Sequence, residues 1–334
     1  MKKKIALILL LSIALIFVFA GCKSPETTEK FTFVAPDGAP ALAVNSMLGE
    51  KTFANVNVKT SIVPTSQISS QAVQSDIAIL PSNLAVKLAN SGKDIKILSI
   101  ITSGNLYILS SLQPETDDIA QLKGKKIISI GRGGAPDLIF QKILKDNKID
   151  SQESETEIDG KVALSYSSDP SGIIPLLAKA KKDGKMMYGI LAEPAVATAL
   201  SKGLFQAFDL QELWQKNNQN EQKGFAQAVL VASGKVCLNK ALVSALLSNI
   251  ENSVEIALTA TPTAVSNVKS NFEQTVLNEK MTQSVVERCN LQLKNIAGNE
   301  KNMAFFEDTI RACFELSPNS VGGAMPKQEF YYIG

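Results

Sequence analysis

The sequence predicts an α/β protein of two lobes, each a parallel sheet with helices on both faces. From Phe31 to Ile101 short apolar strands alternate with amphipathic helices, and the same alternation starts again at Lys123 and continues to Lys202. Repeated strand–turn–helix units are typical of parallel sheets, because a parallel connection needs a crossover, usually a helix. Two lobes joined by two crossings of the chain predict a hinge with a cleft beside it.

The first lobe begins at residue 31. Apolar runs that are bounded by turn residues predict strands at 31–35, 56–62, 76–80 and 95–101. Helices are predicted at 41–47, from Ser66 to 73, and at 83–89, with Ser66 and Ser82 as the N-caps of the last two. The extended residues 105–111 then suit a crossing to the second lobe.

The second lobe repeats this order. Strands are predicted at 126–130, 161–166 and 186–191, helices at 138–147, 174–182 and 193–202, and an acidic loop at 152–160. The run 225–232 is the returning strand, and the rest is predicted to be helical to about residue 316. We therefore assign residues 31–108 and 225–334 to the first lobe and residues 109–224 to the second.

The first 22 residues predict export. Three lysines precede an apolar run from Ile5 to Ala20, and Gly21 and Cys22 follow it. This is the layout of a secretory signal. A cysteine after the small pair resembles a bacterial lipobox, with Phe19 where Leu is usual, so residues 1–21 would be removed and Cys22 lipidated. Residues 22–30 would form a lipidated tether; an ordinary signal peptide or an N-terminal anchor is the alternative.

The composition of the chain excludes several classes of function. Removing residues 1–21 takes away three lysines and no acid, which leaves 31 basic and 32 acidic residues, a net charge of −1. A near-neutral chain lacks the basic surface that nucleic acid binding requires. The sequence contains no histidine, which excludes Ser-His-Asp and Cys-His catalysis and His-ligated zinc. No acidic cluster has the spacing of a metal loop, and nothing resembles a catalytic set.

Three cysteines remain beside Cys22. They are Cys237, Cys289 and Cys313, so at most one disulfide forms. Cys289 and Cys313 both lie in helix-like sequence and could pair. We favour buried reduced thiols instead, because no spacing resembles CxxC.

Candidate ligand residues follow the predicted strands. In open α/β sheets, ligands bind outside the carboxyl ends of strands, where helix N-termini present free N–H groups. The segments in question are 36–40, 64–66, 81–83 and 131–137, together with Glu193.

Two of these places, the loop 131–137 and Glu193, each have two interpretations. Residues 131–137 read GRGGAPD, which lacks both the Walker A pair and the dinucleotide spacing. The loop either binds an anion through its N–H groups and Arg132, or makes a tight turn with Arg132 in solvent. Glu193 either accepts hydrogen bonds from a ligand or is an acid that favours the start of a helix.

Five segments together resemble a known family. They are FVAPDGAPALAV at 33–44, SDIAILPSNLAVKL at 75–88, LKGKKIISIGRGGAPDLIFQKILKDNKID at 122–150, GILAEPAVATAL at 189–200 and GGAMPKQEFYY at 322–332. They are similar to the nitrate/sulfonate/taurine group of ABC-transporter substrate-binding proteins, which also contains binders of thiamine-pyrimidine precursors.

The resemblance implies a type II periplasmic-binding fold, a Venus flytrap with a hinge of two crossing strands. It implies a monomeric, extracytoplasmic subunit that delivers a small molecule to an ABC permease and its ATPase, without a cofactor. The ligand loops of the family fall on Asp37, Gly38, Ala39, Thr65, Ser66, Pro81, Ser82, Asn83, Gly104, Asn105, Arg132, Gly133, Gly134, Ala135, Pro136 and Glu193.

The ligand and the role stay open at this point. Arg132 and the helix N-termini favour an anion such as a sulfonate, whereas Glu193 favours an amine or a pyrimidine. A pyrimidine-synthesising branch of similar proteins needs histidines, which this chain lacks, so we do not expect an enzyme. An extracellular sensor or adhesin that uses the same cleft is the alternative function.

Overall fold

A computed structural model describes residues 29–167, 172–218 and 222–334. The predicted signal peptide, Cys22 and most of the tether lie outside the described residues.

The described residues form thirteen strands in two sheets. The strands are β1 Lys30–Pro36, β2 Gly49–Phe53, β3 Val56–Val63, β4 Ile77–Pro81, β5 Ile95–Thr102, β6 Leu106–Ser110, β7 Lys126–Ile130, β8 Ser151–Glu153, β9 Val162–Ser167, β10 Tyr188–Ala192, β11 Phe205–Asp209, β12 Ala228–Ser233 and β13 Leu291–Asn295.

Twelve α-helices are described between and after these strands. They are α1 Ala39–Leu42, α2 Ile68–Gln74, α3 Ser82–Asn90, α4 Ala135–Asp146, α5 Ile173–Lys182, α6 Ala195–Ser201, α7 Leu210–Asn218, α8 Gly234–Cys237, α9 Lys240–Thr259, α10 Thr261–Asn271, α11 Gln283–Arg288 and α12 Glu300–Leu316. Short 3-10 turns occur at Thr65–Gln67, Ile119–Leu122, Pro318–Val321 and Gln328–Phe330.

The first sheet has the order β13-β5-β12-β4-β1-β3-β2. Strand β1 is parallel to β3 and β4, as predicted. Strand β12 is antiparallel to both β4 and β5, so the sheet is mixed. The carboxyl ends of β1, β3, β4 and β5 therefore meet at one edge, together with the start of β12.

The second sheet has the order β11-β6-β10-β7-β9-β8. Strand β7 is parallel to β9 and β10, whereas β6 is antiparallel to β10 and β11. Residues 106–110, predicted to cross between the lobes, are thus a strand inside this sheet. The crossings are shorter: residues 103–105 lead out of β5, and residues up to 227 lead into β12.

Four of the strands were not predicted from the sequence. Strand β2 joins β3 through Ala54 and Asn55, which both have positive φ and so form a tight hairpin without glycine. Strands β8 and β11 are edge strands of three and five residues. Strand β13 pairs with β5 inside a region predicted to be helical, because tertiary pairing outweighs the local pattern there.

Two predicted caps are wrong. Neither the Ser66 nor the Ser82 hydroxyl caps a helix, since the positions before α2 and α3 carry no side-chain cap. The Ser82 Oγ instead donates to the carbonyl of Ala226 at 2.5 Å. That bond joins the start of α3 to the chain that returns from the second lobe.

Apolar side chains cover both faces of the first sheet. Phe31, Phe33 and Ala35 belong to one buried cluster and Val34 to the other, as alternation along a strand requires. Helix α9 is long and apolar enough to span a membrane by length and composition alone. Its apolar residues are packed into the first of these clusters, as in a core helix.

Helix α12 contacts both lobes. Phe306 and Ile310 belong to a cluster on the first sheet, whereas Ala312 belongs to the core of the second lobe with Trp214 and Phe225. The helix also runs along α4 of the second lobe. It therefore braces the two lobes on the side of the crossings.

The three cysteines of the described residues are free and buried. Cys289 lies in the cluster on one face of the first sheet and Cys313 in the cluster on the other face. The sheet separates the two thiols, so the structure supports the reduced, buried interpretation.

Candidate functional site

The two crossings lie against each other. Gly224 has positive φ, and a Cβ there would overlap the carbonyl oxygen of Ser103. The Asn105 N–H donates to Gln227 Oε1 at 3.0 Å, and Gln227 Nε2 donates to Asn105 Oδ1 at 2.7 Å. A reciprocal side-chain pair and a glycine contact thus tie the outgoing and the returning chain together.

A buried ion pair lies where the lobes meet. Glu193 follows β10 of the second sheet, and its Oε1 is 2.5 Å from an amino nitrogen of Arg288. Arg288 ends α11, whose neighbours pack on the first sheet. The Glu193 side chain is 0% exposed, whereas the Arg288 side chain is 35% exposed. Only the cation of this pair is open to a molecule from outside.

Glu193 is held by three further contacts. Its Oε2 accepts from the N–H of Ala197 in the first turn of α6 at 3.1 Å. Its backbone N–H donates to the carbonyl of Asn105 at 3.0 Å, and Asn105 Nδ2 donates to its carbonyl at 3.3 Å. The Glu193–Pro194 peptide bond is cis. The acid is thus fixed between a helix N-terminus and the hinge, which fits the interpretation of an acid at the start of a helix; the interpretation of a ligand acceptor stays a prediction.

Burial raises the pKa of the Glu193 carboxyl, and the Arg288 guanidinium and the Ala197 N–H act in the opposite direction. Burial also raises the pKa of the Tyr107 hydroxyl beside the pair. That hydroxyl donates to the backbone carbonyl of Arg288 at 3.3 Å. The junction is therefore a low-dielectric site in which an unpaired charge is costly.

Two amide side chains complete the junction. Gln211 is fully buried; its Oε1 accepts from the N–H of Leu106 at 2.8 Å and its Nε2 donates to the Leu106 carbonyl at 3.0 Å. Asn290 Nδ2 donates to the carbonyl of Gly104 at 2.6 Å. These bonds satisfy backbone groups that the end of strand pairing leaves open.

Asp37, at the end of β1, is bound within the first lobe. Its Oδ1 accepts from the Thr275 hydroxyl at 2.5 Å and its Oδ2 from the N–H of Val276 at 2.9 Å. Gly38 follows with φ of 96° and opens α1, and Ala39 is buried in the core. The carboxylate therefore fixes the segment that follows α10.

The next two strand ends lie along the same edge. Thr65 and Ser66, after β3, are exposed, and the Thr65 hydroxyl donates to the Asp37 carbonyl at 3.4 Å. Pro81 and Ser82 end β4 and begin α3. Asn83 is buried with its Oδ1 unpartnered, while its Nδ2 donates to the Ser320 carbonyl at 3.3 Å.

Arg132 does not pair with a residue of the junction. It is 67% exposed and pairs with Glu153 of its own lobe at 2.7 Å, with the guanidinium 5.7 Å from the Tyr166 ring centre. The buried Asp137 accepts from the N–H of Gly133 at 2.8 Å and from the Tyr166 hydroxyl at 3.0 Å. Gly134, Ala135 and Pro136 lead from this turn into α4.

The structure brings some predicted residues together and leaves others apart. Glu193, Gly104 and Asn105 meet at the junction. Asp37, Gly38, Thr65 and Ser66 form a second group on the first lobe, linked by the Thr65–Asp37 bond. In the residues that the structure describes, no three His, Cys, Asp or Glu side chains are grouped to hold a metal ion.

Sequence reasoning missed Arg288, Gln211 and Gln227. Arg288 is one of only three arginines in a chain with 34 basic residues. In a chain that otherwise uses lysine, an arginine indicates a place where a planar, bidentate donor is needed. No comparable feature of the sequence singles out Gln211 and Gln227, because amide side chains are common at protein surfaces.

Several solved structures that resemble this chain come from ABC transport systems. An ABC transporter structure from Parabacteroides distasonis matches with a TM-score of 0.69 at 21% identity, over 91% of this chain and 98% of the other. The periplasmic aliphatic sulphonate-binding protein SsuA from Escherichia coli matches at 0.62 and 14% identity, over 91% and 94%. A ligand-binding component of an ABC-type import system from Staphylococcus aureus, with zinc bound, matches at 0.59 and 11%, over 91% and 97%.

These neighbours define the fold. The chain has the two-lobe architecture of ABC-transporter binding proteins, which confirms the fold that the sequence resemblance implied. No protein-family model and no curated protein matches the chain.

Proposed function

We propose that this protein is the extracytoplasmic solute-binding subunit of an ABC importer. It captures a small polar or anionic organic molecule between its lobes and delivers it to the permease and ATPase. The single observation that carries the proposal is the polar junction, in which Glu193 of one lobe and Arg288 of the other form an ion pair beside two short crossings. The fold shared with import components supports the same role.

The junction suits a switch between open and closed states. The first turn of α6 packs at Ala197 against the first lobe, and Leu138 of α4 belongs to a cluster on the first sheet. A ligand that binds both lobes would stabilise a closed arrangement, since it adds contacts that an open form lacks. The closed, loaded form is the one that the permease would receive.

The proposal includes anchoring and location. Cys22 carries a lipid, the mature chain is a monomer, and the protein works outside the cytoplasm. A diacylglycerol supplies two acyl chains, which is the number needed for stable anchoring.

The exposed cation of the junction, Arg288, indicates the class of ligand. Arg288 offers a planar donor to a sulfonate or carboxylate, while Glu193 keeps the other side of the guanidinium in place. Arg132 is the competing cation from the sequence, and it already has Glu153 as a partner.

A thermal-shift screen tests the proposal. The unlipidated chain, with Cys22 replaced by serine, is screened against taurine, alkyl and aryl sulfonates, nitrate, bicarbonate, hydroxymethylpyrimidines and thiamine. A ligand at about a hundred times its dissociation constant stabilises the folded state by about 2.7 kcal/mol. We expect Arg288→Ala to abolish the shift given by a sulfonate, because the recognition cation is gone.

Arg132→Ala is the matched control. It removes the same side chain from an exposed position in one lobe, and we expect the ligand shift to survive. A shift lost in Arg132→Ala and kept in Arg288→Ala would move the anion site to the 131–137 loop. A ligand that binds while the deletion strain imports it normally would favour the sensor or adhesin instead.

A further inference from the structure

A cavity lies beside the crossings, at the outer edge of the first sheet. Its volume is about 590 Å³, a size that is typical of small-molecule sites. Strand β13, the edge strand next to β5, forms one wall, and the cavity extends from there to the returning chain. Its lining includes Ser103, Gln222, Lys223, Glu287, Gln292 and Lys294. We call it the hinge cavity.

The hinge cavity is separate from the site between the lobes. In the first sheet, β5 and β12 lead into the crossings; β4, β1 and β3 lie on one side of them, and β13 lies on the other. Asp37 and Thr65 follow β1 and β3, on the side away from β13. The Arg288 side chain is directed to Glu193 of the second lobe, whereas the preceding residue, Glu287, lines the cavity.

Lys294 of β13 presents a half-buried cation to the cavity. Its ammonium donates to Gln222 Oε1 at 2.5 Å and lies 4.3 Å from the ring centre of Phe305 in α12. Among the described residues, these two neutral groups are the partners that the ammonium contacts. An amide oxygen and the face of a ring compensate a positive charge only in part. Burial accordingly lowers the pKa of the Lys294 ammonium.

The other charged groups of the lining have partners of their own. Lys223 forms an ion pair with Glu212 of α7 at 3.0 Å. The Glu287 carboxylate accepts from Gln283 Nε2 of the same helix at 3.1 Å. Lys294 is therefore the charge of the lining that an added anion would compensate most.

Neutral donors accompany Lys294. Ser103 Oγ accepts from Gln292 Nε2, which leaves the hydroxyl hydrogen of Ser103 to donate. Gln222 directs its oxygen to Lys294, and its amide nitrogen is a second neutral donor. An ammonium together with hydroxyl and amide donors suits the two oxygens of a carboxylate.

We propose that the hinge cavity binds a small organic carboxylate, whose negative group pairs with Lys294. The carboxylate supplies the opposite charge that the neutral partners of the ammonium do not provide. Leu258 and Leu291, which also line the cavity, contact the carbon skeleton of the molecule. Because Ser103 lies in the outgoing crossing and Gln222 in the returning chain, the bound molecule touches both connections between the lobes.

Acetylation of individual lysines tests this in the Cys22→Ser chain. The protein reacts with the N-hydroxysuccinimide ester of acetic acid, with and without acetate, malate, citrate or benzoate, and mass spectrometry of the peptides gives the rate at Lys294. A carboxylate at about ten times its dissociation constant leaves about a tenth of the sites free, so acetylation of Lys294 should slow by about ten-fold. Lys142 of α4, a partly buried lysine that pairs with Asp146, is the internal control and keeps its rate.

Calorimetric titration of two matched variants locates the binding. Lys294→Met removes the charge and keeps an apolar stem against the Phe305 ring. We expect it to weaken binding of the same carboxylate by at least about ten-fold, because a charge-assisted hydrogen bond is lost. Lys142→Met changes the net charge equally and should bind as the parent protein does.

Any of the following results overturns the proposal. The rate at Lys294 is unchanged by every carboxylate; Lys142 is protected as much as Lys294, which is a general effect of ions; or Lys294→Met binds as tightly as the parent, which places the molecule elsewhere. The acetylation uses the unsubstituted cavity, so its result holds even where Lys294→Met folds poorly. Neither measurement uses an import substrate or the permease, so the hinge cavity and the proposed function can fail separately.

Discussion

Glu193 and Arg288 show how one residue pair can join two lobes. The carboxylate is fully buried and the guanidinium is one-third exposed. Removing the Arg288 guanidinium leaves the buried Glu193 carboxylate without its main partner. The resulting loss of folding stability is larger than the net stabilisation that the intact pair provides. The pair therefore acts on the stability of the junction, in addition to the role in ligand recognition that we propose for it.

Arg288→Ala should destabilise the folded protein. We expect a loss of about 2 kcal/mol in the free energy of unfolding, below the value for a fully buried pair because part of the guanidinium is hydrated. Denaturant unfolding of the single and double variants measures this. Arg288→Ala/Glu193→Gln should recover most of the loss, since no buried charge remains; an unrecovered loss would mean that Arg288 acts through packing.

The buried acid also predicts a pH dependence. Because the pKa of Glu193 is raised in the folded state, its contribution favours folding below the ordinary carboxyl pKa of 4.5 and is lost as the pH rises through the raised value. The stability of the wild type relative to Glu193→Gln should therefore fall as the pH increases above about 4.5. Arg288→Ala should enlarge that fall. A stability difference that stays flat as the pH rises from 4.5 would contradict the raised pKa.

The thiols should be unreactive in the native protein. Burial raises the pKa of Cys237 to about 11 and of Cys313 to about 12, and Cys289 is shifted in the same direction. A thiol-specific chromophoric reagent at neutral pH should therefore titrate none of them in the native Cys22→Ser chain. All three should react after denaturation without reductant. Recovery of a single thiol would reveal a disulfide.

At the scale of elements, the crossings depend on close backbone approach. Gly224 combines positive φ with a Cβ position that Ser103 already fills, whereas Gly92, also at positive φ, has open space around it. The left-handed conformation alone costs a non-glycine residue about 1 kcal/mol. Overlap with a main-chain carbonyl adds to this, since backbone cannot turn away as a side chain can.

Gly224→Ala should accordingly destabilise the protein by at least about 2 kcal/mol more than Gly92→Ala. The matched pair separates overlap from backbone conformation, and thermal unfolding of both variants measures the difference. We also expect Gly224→Ala to weaken ligand binding, because the crossings are pushed apart. Equal losses in the two variants would show that the crossings tolerate separation.

Much of the fold could be predicted from the sequence, and the exceptions have physical causes. Strands β1, β3, β4, β5 and β7 are self-contained apolar runs, so their local pattern is sufficient. Strand β13 and the edge strands depend on a neighbour for their pairing. Glu193 could be found because it ends an apolar strand, whereas Arg288 meets it only through tertiary folding, from a site 95 residues further along the chain.

At the scale of the whole molecule, the two lobes should unfold together. Helix α12 buries side chains in both cores, and the crossings are tied by Asn105 and Gln227. The only tryptophan, Trp214, is buried in the core of the second lobe and reports mainly on that core. We expect its fluorescence and the far-ultraviolet circular dichroism to give coincident denaturation midpoints. An earlier fluorescence transition would mean that the second lobe unfolds independently.

The contacts between the two crossings have a consequence for ligand selectivity. Since the outgoing and returning chains contact each other at Ser103 and Gly224 and again at Asn105 and Gln227, the lobes can rotate about that line but cannot slide past one another. Under the proposed function, the width of a solute held between the lobes would set the angle at which their rotation stops. A solute that is too wide would keep the lobes apart and leave Arg288 hydrated, so that size would be selected before charge.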